Sequence, residues 1–251
     1  MYLNKIIAAV VPAYNEEKYI EAAINSIPGF VDVIYAVNDG STDNTGIIMT
    51  ELAANNKKIV IITKENGGVG SAIVSGYKRC VQDNIDIAAV MAGDNQMDPA
   101  YLSVLIEPIA NNQADYAKAE RMTVDEYREG MSNFRRLGNW LLRWLTRIAA
   151  GNYKIVDPQA GYTAISNHAL QVIDLDGIYH YYGYCNDILV KLSVAKARIL
   201  EIPMPYVNEE GSRESKIRYQ SYIPKVSWLL LRLMFWRLTK VFSRKEKSLQ
   251  Q

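Results

Sequence analysis

The chain contains little cysteine and histidine, and its charges are nearly balanced. Its two cysteines, Cys80 and Cys185, lie far apart and outside any CxxC pair, which excludes a disulfide framework and predicts buried thiols in a reducing compartment. Only two histidines are present, which excludes a histidine-rich metal site. The formal net charge is +1, so the basic excess of a nucleic-acid-binding protein is missing and no nucleic-acid partner is expected.

Long apolar runs are also missing. Pro12 breaks the first apolar stretch, so we expect no signal peptide. Arg232 and Arg237 divide the apolar stretch near the carboxyl end, which leaves no run of about 20 apolar residues to span a bilayer. The 251 residues are enough for one α/β domain with appendages. These features favour a cytoplasmic protein.

Strand-like and helix-like runs alternate through the first half of the chain. The strand-like runs are rich in β-branched residues and cover residues 6–11, 33–37, 59–62 and 87–90. The helix-like runs between them cover residues 17–27, 45–54, 69–81 and 100–111. Four strand–helix units in sequence predict a parallel, doubly wound sheet. The later pattern predicts a strand at 116–119, a helix at 134–150, a short strand within 159–166, further helices, and a proline-flanked apolar segment at 199–206.

The loop after the fourth predicted strand is rich in side-chain oxygens. Asp94, Gln96 and Asp98 follow the apolar run directly, and ligands bind at the carboxyl ends of strands in open α/β sheets. Such oxygens suit Mg²⁺ or Mn²⁺ held together with a substrate diphosphate. A simple turn is the alternative for this loop, and for Asp98, followed by Pro99, we favour a helix cap.

The other three strand ends meet the same edge of the predicted sheet. Tyr14 offers a flat ring for a nucleobase, and Asp39 can accept hydrogen bonds from ribose hydroxyls or a base. Gly67, Gly68 and Gly70 permit a close backbone approach, and the helix start that follows favours phosphate. Four polar or glycine-rich strand ends on one edge predict an enzyme acting on a nucleotide-linked substrate.

These motifs carry a resemblance to a known family. The segments Pro-x-Tyr-Asn-Glu at 12–16, Asn-Asp-Gly-Ser-Thr-Asp at 38–43 and Gly-Asp-x-Gln-x-x-Pro at 93–99 resemble the family-2 glycosyltransferases of GT-A fold. The segments at 119–121, 135–139, 157–162 and 213–216 are similar to the branch of dolichyl- and polyprenyl-phosphate mannosyl- and glucosyltransferases. The resemblance implies an α/β fold with a Rossmann-like, mostly parallel sheet flanked by helices, and a role in glycan biosynthesis.

The resemblance also implies roles for individual residues. The donor would be held by one group of residues: Pro12, Tyr14, Glu16, Asp39, Gly68, Asp94 and Gln96. Of these, Asp94 and Gln96 would contact the metal, Mg²⁺ or Mn²⁺. The phosphates of the acceptor would be bound by a second group: Arg121, Arg135, Ser215 and Lys216. The sequence departs from the family at Ala92, where the metal motif usually has a first aspartate, and at Asn38, which replaces a common aspartate.

The implied reaction is a metal-assisted, inverting displacement at an anomeric carbon, with a nucleoside diphosphate leaving. A polyprenyl phosphate acceptor is already an anion and needs little help from a base. A glycan or lipid-linked saccharide hydroxyl would need a carboxylate, and Asp94, Asp157 and Asp187 are the catalytic candidates, the last two as the base. Asp157 could equally anchor backbone. The substitution at position 92 also leaves a catalytically weak nucleotide-sugar-binding protein as an alternative.

The carboxyl-terminal segment is basic and amphipathic. We place the glycosyltransferase domain at 1–216 and an amphipathic helix and tail at 217–251. Residues 213–247 contain ten basic and two acidic side chains. A helix from about Pro224 would separate Lys225 and Arg232 from Trp228 and Phe235, as expected of a helix lying on anionic lipid at the cytoplasmic face of a membrane. The alternative is a helix packed on the domain or on a second subunit of a homo-oligomer.

Overall fold

The computed structural model describes residues 1–124, 133–205 and 219–249, without the side chains of 133–136, 219 and 242–249. The amino-terminal half alternates strands and helices as predicted. Its elements are β1 (Ile7–Ala13), α1 (Ile20–Asn25), β2 (Val33–Asp39), α2 (Thr45–Asn55), β3 (Ile59–Lys64), α3 (Val69–Gln82), β4 (Ile87–Val90), a 3₁₀ turn (Pro99–Tyr101) and α4 (Leu102–Ala110). The second half follows with β5 (Tyr116–Glu120), α5 (Asn133–Ala150), β6 (Thr163–Ser166), α6 (Asn167–Val172), α7 (Tyr184–Val194), β7 (Ile199–Pro203) and α8 (Tyr219–Leu249).

The seven strands form one sheet in the order β3-β2-β1-β4-β6-β5-β7. Strands β1 to β4 are parallel to one another, and β6 is antiparallel to both of its neighbours, β4 and β5. Strand β7 pairs parallel to β5, so β6 alone among these strands runs against the others. This is the mostly parallel α/β sheet that the resemblance implied. The reversal places the loop before β6 beside the carboxyl ends of β4 and β5.

Apolar side chains cover both faces of the sheet. Along β1, Ala8 and Val10 belong to one buried cluster, whereas Ile7, Ala9 and Val11 belong to the other. Helices α3, α5, α6, α7 and α8 contribute to the first cluster, and α1, α2 and α4 to the second. Alternation of side chains along a strand explains this division. Both cysteines are buried free thiols, as predicted.

Helices α5 and α8 run side by side in the same direction. Near their starts, a Cβ on Gly138 would lie 3.0 Å from Cδ1 of Ile223. Further along, the guanidinium of Arg237 donates to the carbonyl oxygen of Ile148 at 3.2 Å. In the part of the chain that the structure describes, no helix is both long and apolar enough to cross a membrane.

Some element bounds differ from the predictions. The first helix begins only at Ile20, because the preceding residues form a turn in which the N–H groups of Tyr19 and Ile20 both donate to the carbonyl oxygen of Glu16. Helix α8 begins at Tyr219, ahead of Pro224. Its buried residues, such as Val226 and Leu230, belong to the first of the two buried clusters. The division of the chain at residue 217 falls in a stretch outside the described residues and stays a prediction.

Candidate active site

The loops after β1 and β2 are joined by hydrogen bonds. The N–H of Asn15 donates to Oγ of Ser41 at 3.1 Å, and the N–H of Thr42 donates back to the side-chain oxygen of Asn15 at 2.8 Å. Next to them, the N–H of Glu16 donates to Oγ1 of Thr45 at 2.8 Å. The two predicted nucleoside-binding loops therefore form one unit. Tyr14 lies beside it with 43% of its surface exposed, so its ring is accessible for stacking.

Asp39 is buried at the end of β2, and its carboxylate binds the loop after β3. Lys64 Nζ lies 2.7 Å from Oδ1, and the N–H groups of Gly67 and Gly68 donate to the two carboxylate oxygens at 3.0 and 2.8 Å. Asp39 thus fixes the glycine-rich loop in this structure. Its predicted contact with a ribose or base, and the donor contact of Gly68, stay predictions.

The start of α3 is covered by the protein's own backbone. The N–H of Ser71 donates to the carbonyl oxygen of His180 at 3.1 Å. A Cβ on Gly70 would collide with the carbonyl oxygen of Tyr179, and Gly68 has a φ of +91° that favours glycine. Residues 179–181 therefore pack closely against Gly68 and Gly70. The predicted binding of a phosphate at this helix start stays a prediction.

A cavity of about 90 Å³ opens where β4, β5, β6 and β7 meet. Its lining combines four polar side chains, Asp94, Gln96, Asp98 and Arg121, with two tyrosines and two methionines. The lining residues are Asp94, Gln96, Met97, Asp98, Tyr101, Ala119, Arg121, Ala160, Gly161, Tyr162, Met204 and Pro205. The cavity joins a predicted donor-binding loop to a predicted acceptor-binding arginine.

The Asp94 loop is shaped by its own hydrogen bonds. The N–H of Gln96 donates to Oδ1 of Asp94 at 3.1 Å, and Asn95 between them has a φ of 58°. The N–H of Gly93 donates to the carbonyl oxygen of Pro12 at 3.1 Å, which ties this loop to β1. The carboxylate of Asp98 accepts from the N–H of Ala100 at 2.8 Å, so the predicted cap is confirmed.

The residues at this loop suit a divalent cation only if the substrate shares in the coordination. No group of three or more His, Cys, Asp and Glu side chains in the described ranges could hold a metal ion. Asp94 and Gln96 offer a carboxylate and an amide oxygen, the hard ligands that Mg²⁺ and Mn²⁺ accept. The remaining ligands would then come from the donor diphosphate and water.

Arg121 is held by Asp157 in a two-pronged ion pair. Nε of Arg121 donates to Oδ2 of Asp157 at 2.8 Å and Nη2 to Oδ1 at 3.2 Å. Burial alone would raise the pKa of Asp157, but the charges of Arg121 and Lys118 outweigh it and hold the pKa at about 2. Asp157 is therefore ionised at neutral pH and is a weak proton acceptor. This geometry favours an anchoring role, and the predicted role as a base stays a prediction.

Asp187 lies on the first turn of α7 and is buried away from the cavity lining. Its carboxylate accepts from the N–H of Tyr179 at 2.7 Å and pairs with Lys191 at 3.2 Å. Burial raises the pKa of Asp187, and Lys191 opposes that rise. Asp187 thus holds the segment that covers α3, and its catalytic role also stays a prediction.

The structure does not test three of the predicted acceptor-binding residues. The side chain of Arg135 and all of Ser215 and Lys216 lie outside the described residues.

Burial raises the pKa of Tyr182, and the negative charges of Asp94 and Glu16 add to the rise, which places Tyr182 near both. The sequence analysis did not single out Tyr182. It also missed Lys118 and Glu201, which form hydrogen bonds with the backbone of Asp157. A lone lysine within the apolar 116–119 strand was the available signal for Lys118.

Residues 8–173 match the family model described as Glycosyl transferase family 2. The chain belongs to this family. A UDP-N-acetylglucosamine–dolichyl-phosphate N-acetylglucosaminyltransferase from Methanococcus voltae is 32% identical over 223 residues, covering 83% of this chain and 88% of the relative. An undecaprenyl-phosphate mannosyltransferase from Micrococcus luteus is 26% identical, covering 81% of this chain and 84% of the relative. The resemblance to the polyprenyl-phosphate branch is confirmed, and the chain is a glycosyltransferase.

A solved structure of the same architecture supports the GT-A fold. Glucosyl-3-phosphoglycerate synthase from Mycobacterium tuberculosis, in complex with Mn²⁺, UDP and phosphoglyceric acid, superposes with a TM-score of 0.68. The match covers 93% of this chain and 78% of that one at 19% identity. At this identity the likeness concerns the fold alone.

Proposed function

We propose that this glycosyltransferase moves a sugar from a nucleotide-sugar to a polyprenyl, dolichyl-type phosphate, with inversion at the anomeric carbon. The observation that carries the proposal is the cavity that places Asp94 and Arg121 in one lining. One group suits the donor diphosphate and its cation, and the other suits an anionic acceptor. The named activities of the Methanococcus and Micrococcus relatives support the acceptor class.

On the donor side, Tyr14 would stack on the nucleobase, and Asp94 and Gln96 would contact the Mg²⁺ or Mn²⁺ and the diphosphate. The cation would supply charge stabilisation as the diphosphate leaves. Glu16 lies in the loop after β1, and Pro12 lies near the end of β1, where its carbonyl oxygen accepts from the N–H of Gly93 in the Asp94 loop. Because these loops already bind each other, the donor would meet a site formed in advance.

On the acceptor side, a phosphate oxygen would form the new bond to the anomeric carbon as the bond from that carbon to the donor diphosphate breaks. The nucleoside diphosphate leaves, and attack from the opposite side inverts the configuration. A phosphate monoester is already ionised near neutral pH, so no base is required. Arg121 would bind this phosphate, with Arg135, Ser215 and Lys216 as further contacts.

The direct test is turnover with UDP-N-acetylglucosamine and other nucleotide sugars, Mn²⁺ or Mg²⁺, and two matched lipids. We expect transfer to a polyprenyl phosphate and none to the corresponding polyprenol, which lacks the phosphate. Transfer to a saccharide hydroxyl instead would establish the alternative acceptor. Donor binding without release of nucleoside diphosphate would contradict the proposal and favour a binding protein. The anomeric coupling constant of the product tests inversion.

The outward side of α5 supports a peripheral position on a membrane. From Leu137 onward, every exposed side chain of α5 is apolar. These residues form the α5 stripe: Leu137, Trp140, Leu141, Trp144 and Ile148. Their spacing keeps them within about 100° of the helix circumference. In a soluble domain the solvent-exposed side of a helix is normally polar. The apolar side chains on the exposed side of α5 therefore support contact with an apolar environment.

Helix α8 adds a second outward stripe beside the first. Its large exposed apolar residues are Trp228, Leu231, Phe235, Leu238 and Val241. Lys225 and Arg232 are exposed on the same helix, and the Arg147 guanidinium lies 5.1 Å from the ring centre of Trp144. Tryptophan next to cations suits the interface of an anionic bilayer. We propose that both stripes rest on the cytoplasmic face of the membrane that contains the acceptor.

Removing tryptophans from the α5 stripe is expected to release the protein from lipid. Trp140→Ser with Trp144→Ser should lower binding to vesicles of anionic and zwitterionic phospholipid by roughly tenfold or more, because binding scales with the apolar area inserted. Co-sedimentation measures the bound fraction. Ile47→Ser is the matched control, since Ile47 is 60% exposed on α2 and outside both stripes. Equal binding of both variants would contradict the membrane surface.

A further inference from the structure

The backbone just before β6 is held by charged side chains from other elements. The carboxylate of Glu201, on β7, accepts from the N–H of Val156 at 2.6 Å and from the N–H of Asp157 at 2.8 Å. Lys118, on β5, donates from Nζ to the carbonyl oxygen of Asp157. Asp157 therefore has its backbone N–H, its carbonyl oxygen and its carboxylate all bound to ionised groups.

These groups form a connected series that ends at the cavity. Lys118 is fully buried, the Glu201 side chain is 9% exposed, and the Asp157 side chain is 1% exposed. Nζ of Lys118 lies 3.8 Å from Oε1 of Glu201. Asp157 in turn forms the ion pair with Arg121, whose side chain is 14% exposed. Of the four, only Arg121 lines the cavity. The two cations and two anions balance in charge.

Such a series is a poor source of stability. Moving ionised groups out of water is costly, and apolar residues of similar volume often stabilise the fold as well or better. What a buried network does provide is a fixed geometry for its members. Both oxygens of Asp157 bind the planar guanidinium, and the backbone N–H of Arg121 donates to the same carboxylate at 3.3 Å. The plane of the guanidinium is thereby determined.

We propose that Lys118, Glu201 and Asp157 are positioning residues that orient the Arg121 guanidinium toward an anion in the cavity. Glu201 and Lys118 fix the backbone of Asp157, and Asp157 fixes the fork of Arg121. The acceptor phosphate as the anion rests on the proposed function, but the orientation of Arg121 does not. Pre-orientation reduces the conformational freedom that an arginine loses when it binds a phosphate.

The first readout is independent of activity and uses the full chain. In ¹H–¹⁵N spectra, the Arg121 Nε–H should give a slowly exchanging signal because it is bonded to Asp157, and Arg121→Lys assigns it by removing it. Asp157→Asn and Glu201→Gln should make that signal exchange faster by tenfold or more or broaden it away. Asp115→Asn is the matched control. Asp115 accepts from both Nε and Nη2 of Arg198. It directly precedes β5, whereas Arg121 directly follows that strand, so the two ion pairs lie at opposite ends of β5.

The second readout separates positioning from chemistry. Asp157→Asn and Glu201→Gln should raise the KM for polyprenyl phosphate about tenfold to a hundredfold, the loss expected for one or more charge-assisted hydrogen bonds. The kcat should change much less, and Asp157→Glu should recover part of the loss. Circular dichroism and a melting curve show which variants fold, and Lys118→Met provides a third variant if one of them does not.

The outcomes are distinct. If folded Asp157→Asn and Glu201→Gln proteins keep the Arg121 signal unchanged, the positioning role is wrong. A fall in kcat with unchanged KM and an intact signal would instead give Asp157 a chemical role and also overturn the inference. If the signal is lost as expected but the acceptor proves not to be a phosphate, the positioning role stands and only the proposed acceptor fails.

Discussion

Asp94→Asn is expected to abolish nearly all sugar transfer while leaving the protein folded. Two carboxylates line the cavity, Asp94 and Asp98, and each accepts the backbone N–H of the residue two positions later. We assign the cation at the donor diphosphate to Asp94, because it stands in the family's metal motif, where Ala92 supplies no carboxylate. Loss of one group that stabilises developing charge costs on the order of a hundredfold to a thousandfold in kcat. Steady-state release of nucleoside diphosphate measures it.

The neighbouring carboxylate provides the control for this prediction. Asp98→Asn removes the charge but keeps a capping oxygen, because asparagine accepts the same backbone N–H, so both stability and kcat should be nearly unchanged. If Asp94→Asn behaves like Asp98→Asn, Asp94 has only a role in the turn.

Ala92→Asp tests the same site in the opposite direction, since an added carboxylate should tighten Mn²⁺ binding in a titration. No change would place residue 92 outside the coordination sphere.

Arg121→Met is expected to produce the second large loss, and that loss should be specific to the lipid acceptor. Each charge-assisted contact contributes on the order of 1.5–3 kcal/mol, so transfer to polyprenyl phosphate should fall roughly tenfold to a hundredfold. Arg121→Lys keeps the charge but cannot make the two-pronged contact, so it should be partly impaired. The measurement compares lipid transfer with the slow hydrolysis of donor by water in the same variant.

The pattern of losses distinguishes the possible roles of Arg121. Selective loss of lipid transfer would support acceptor binding, whereas an equal fall in hydrolysis would show that Arg121 holds the donor. Arg198→Lys is the matched control, because Arg198 makes the same kind of pair with Asp115 on the protein surface. A comparable loss in that control would indicate a general effect on the fold.

The alternating half of the fold was predictable because local sequence determines it. The run at residues 87–90 is buried throughout, and β4 has the predicted bounds. The cap at Asp98 follows from residue type, and its carboxylate does accept the N–H of Ala100 at 2.8 Å. The reversed direction of β6 was not predictable in this way. It depends on pairing with β4 and β5, which lie about 75 and 45 residues earlier in the chain.

The candidate site was predicted as a set of residues but not as a set of contacts. The strand pattern put Asp94 at the edge of the sheet, the family resemblance implied Arg121 as a phosphate-binding residue, and the two line one cavity. The sequence did not indicate that Asp39 binds Lys64 or that residues 179–181 pack against the start of α3, because both depend on contacts between separate segments of the chain. Glu201 gave no signal, since a single glutamate within a short strand is typical of an exposed edge position.

The α5 stripe sets a limit on how the purified protein behaves in water. Its side chains remain between 39% and 63% exposed in the folded chain, so their replacement by serine should lower the melting temperature less than replacement of fully buried apolar side chains would. They lower solubility, however, because two copies can cover each other's stripes. We expect the hydrodynamic radius to grow with protein concentration in plain buffer and to become independent of concentration when a mild detergent is present.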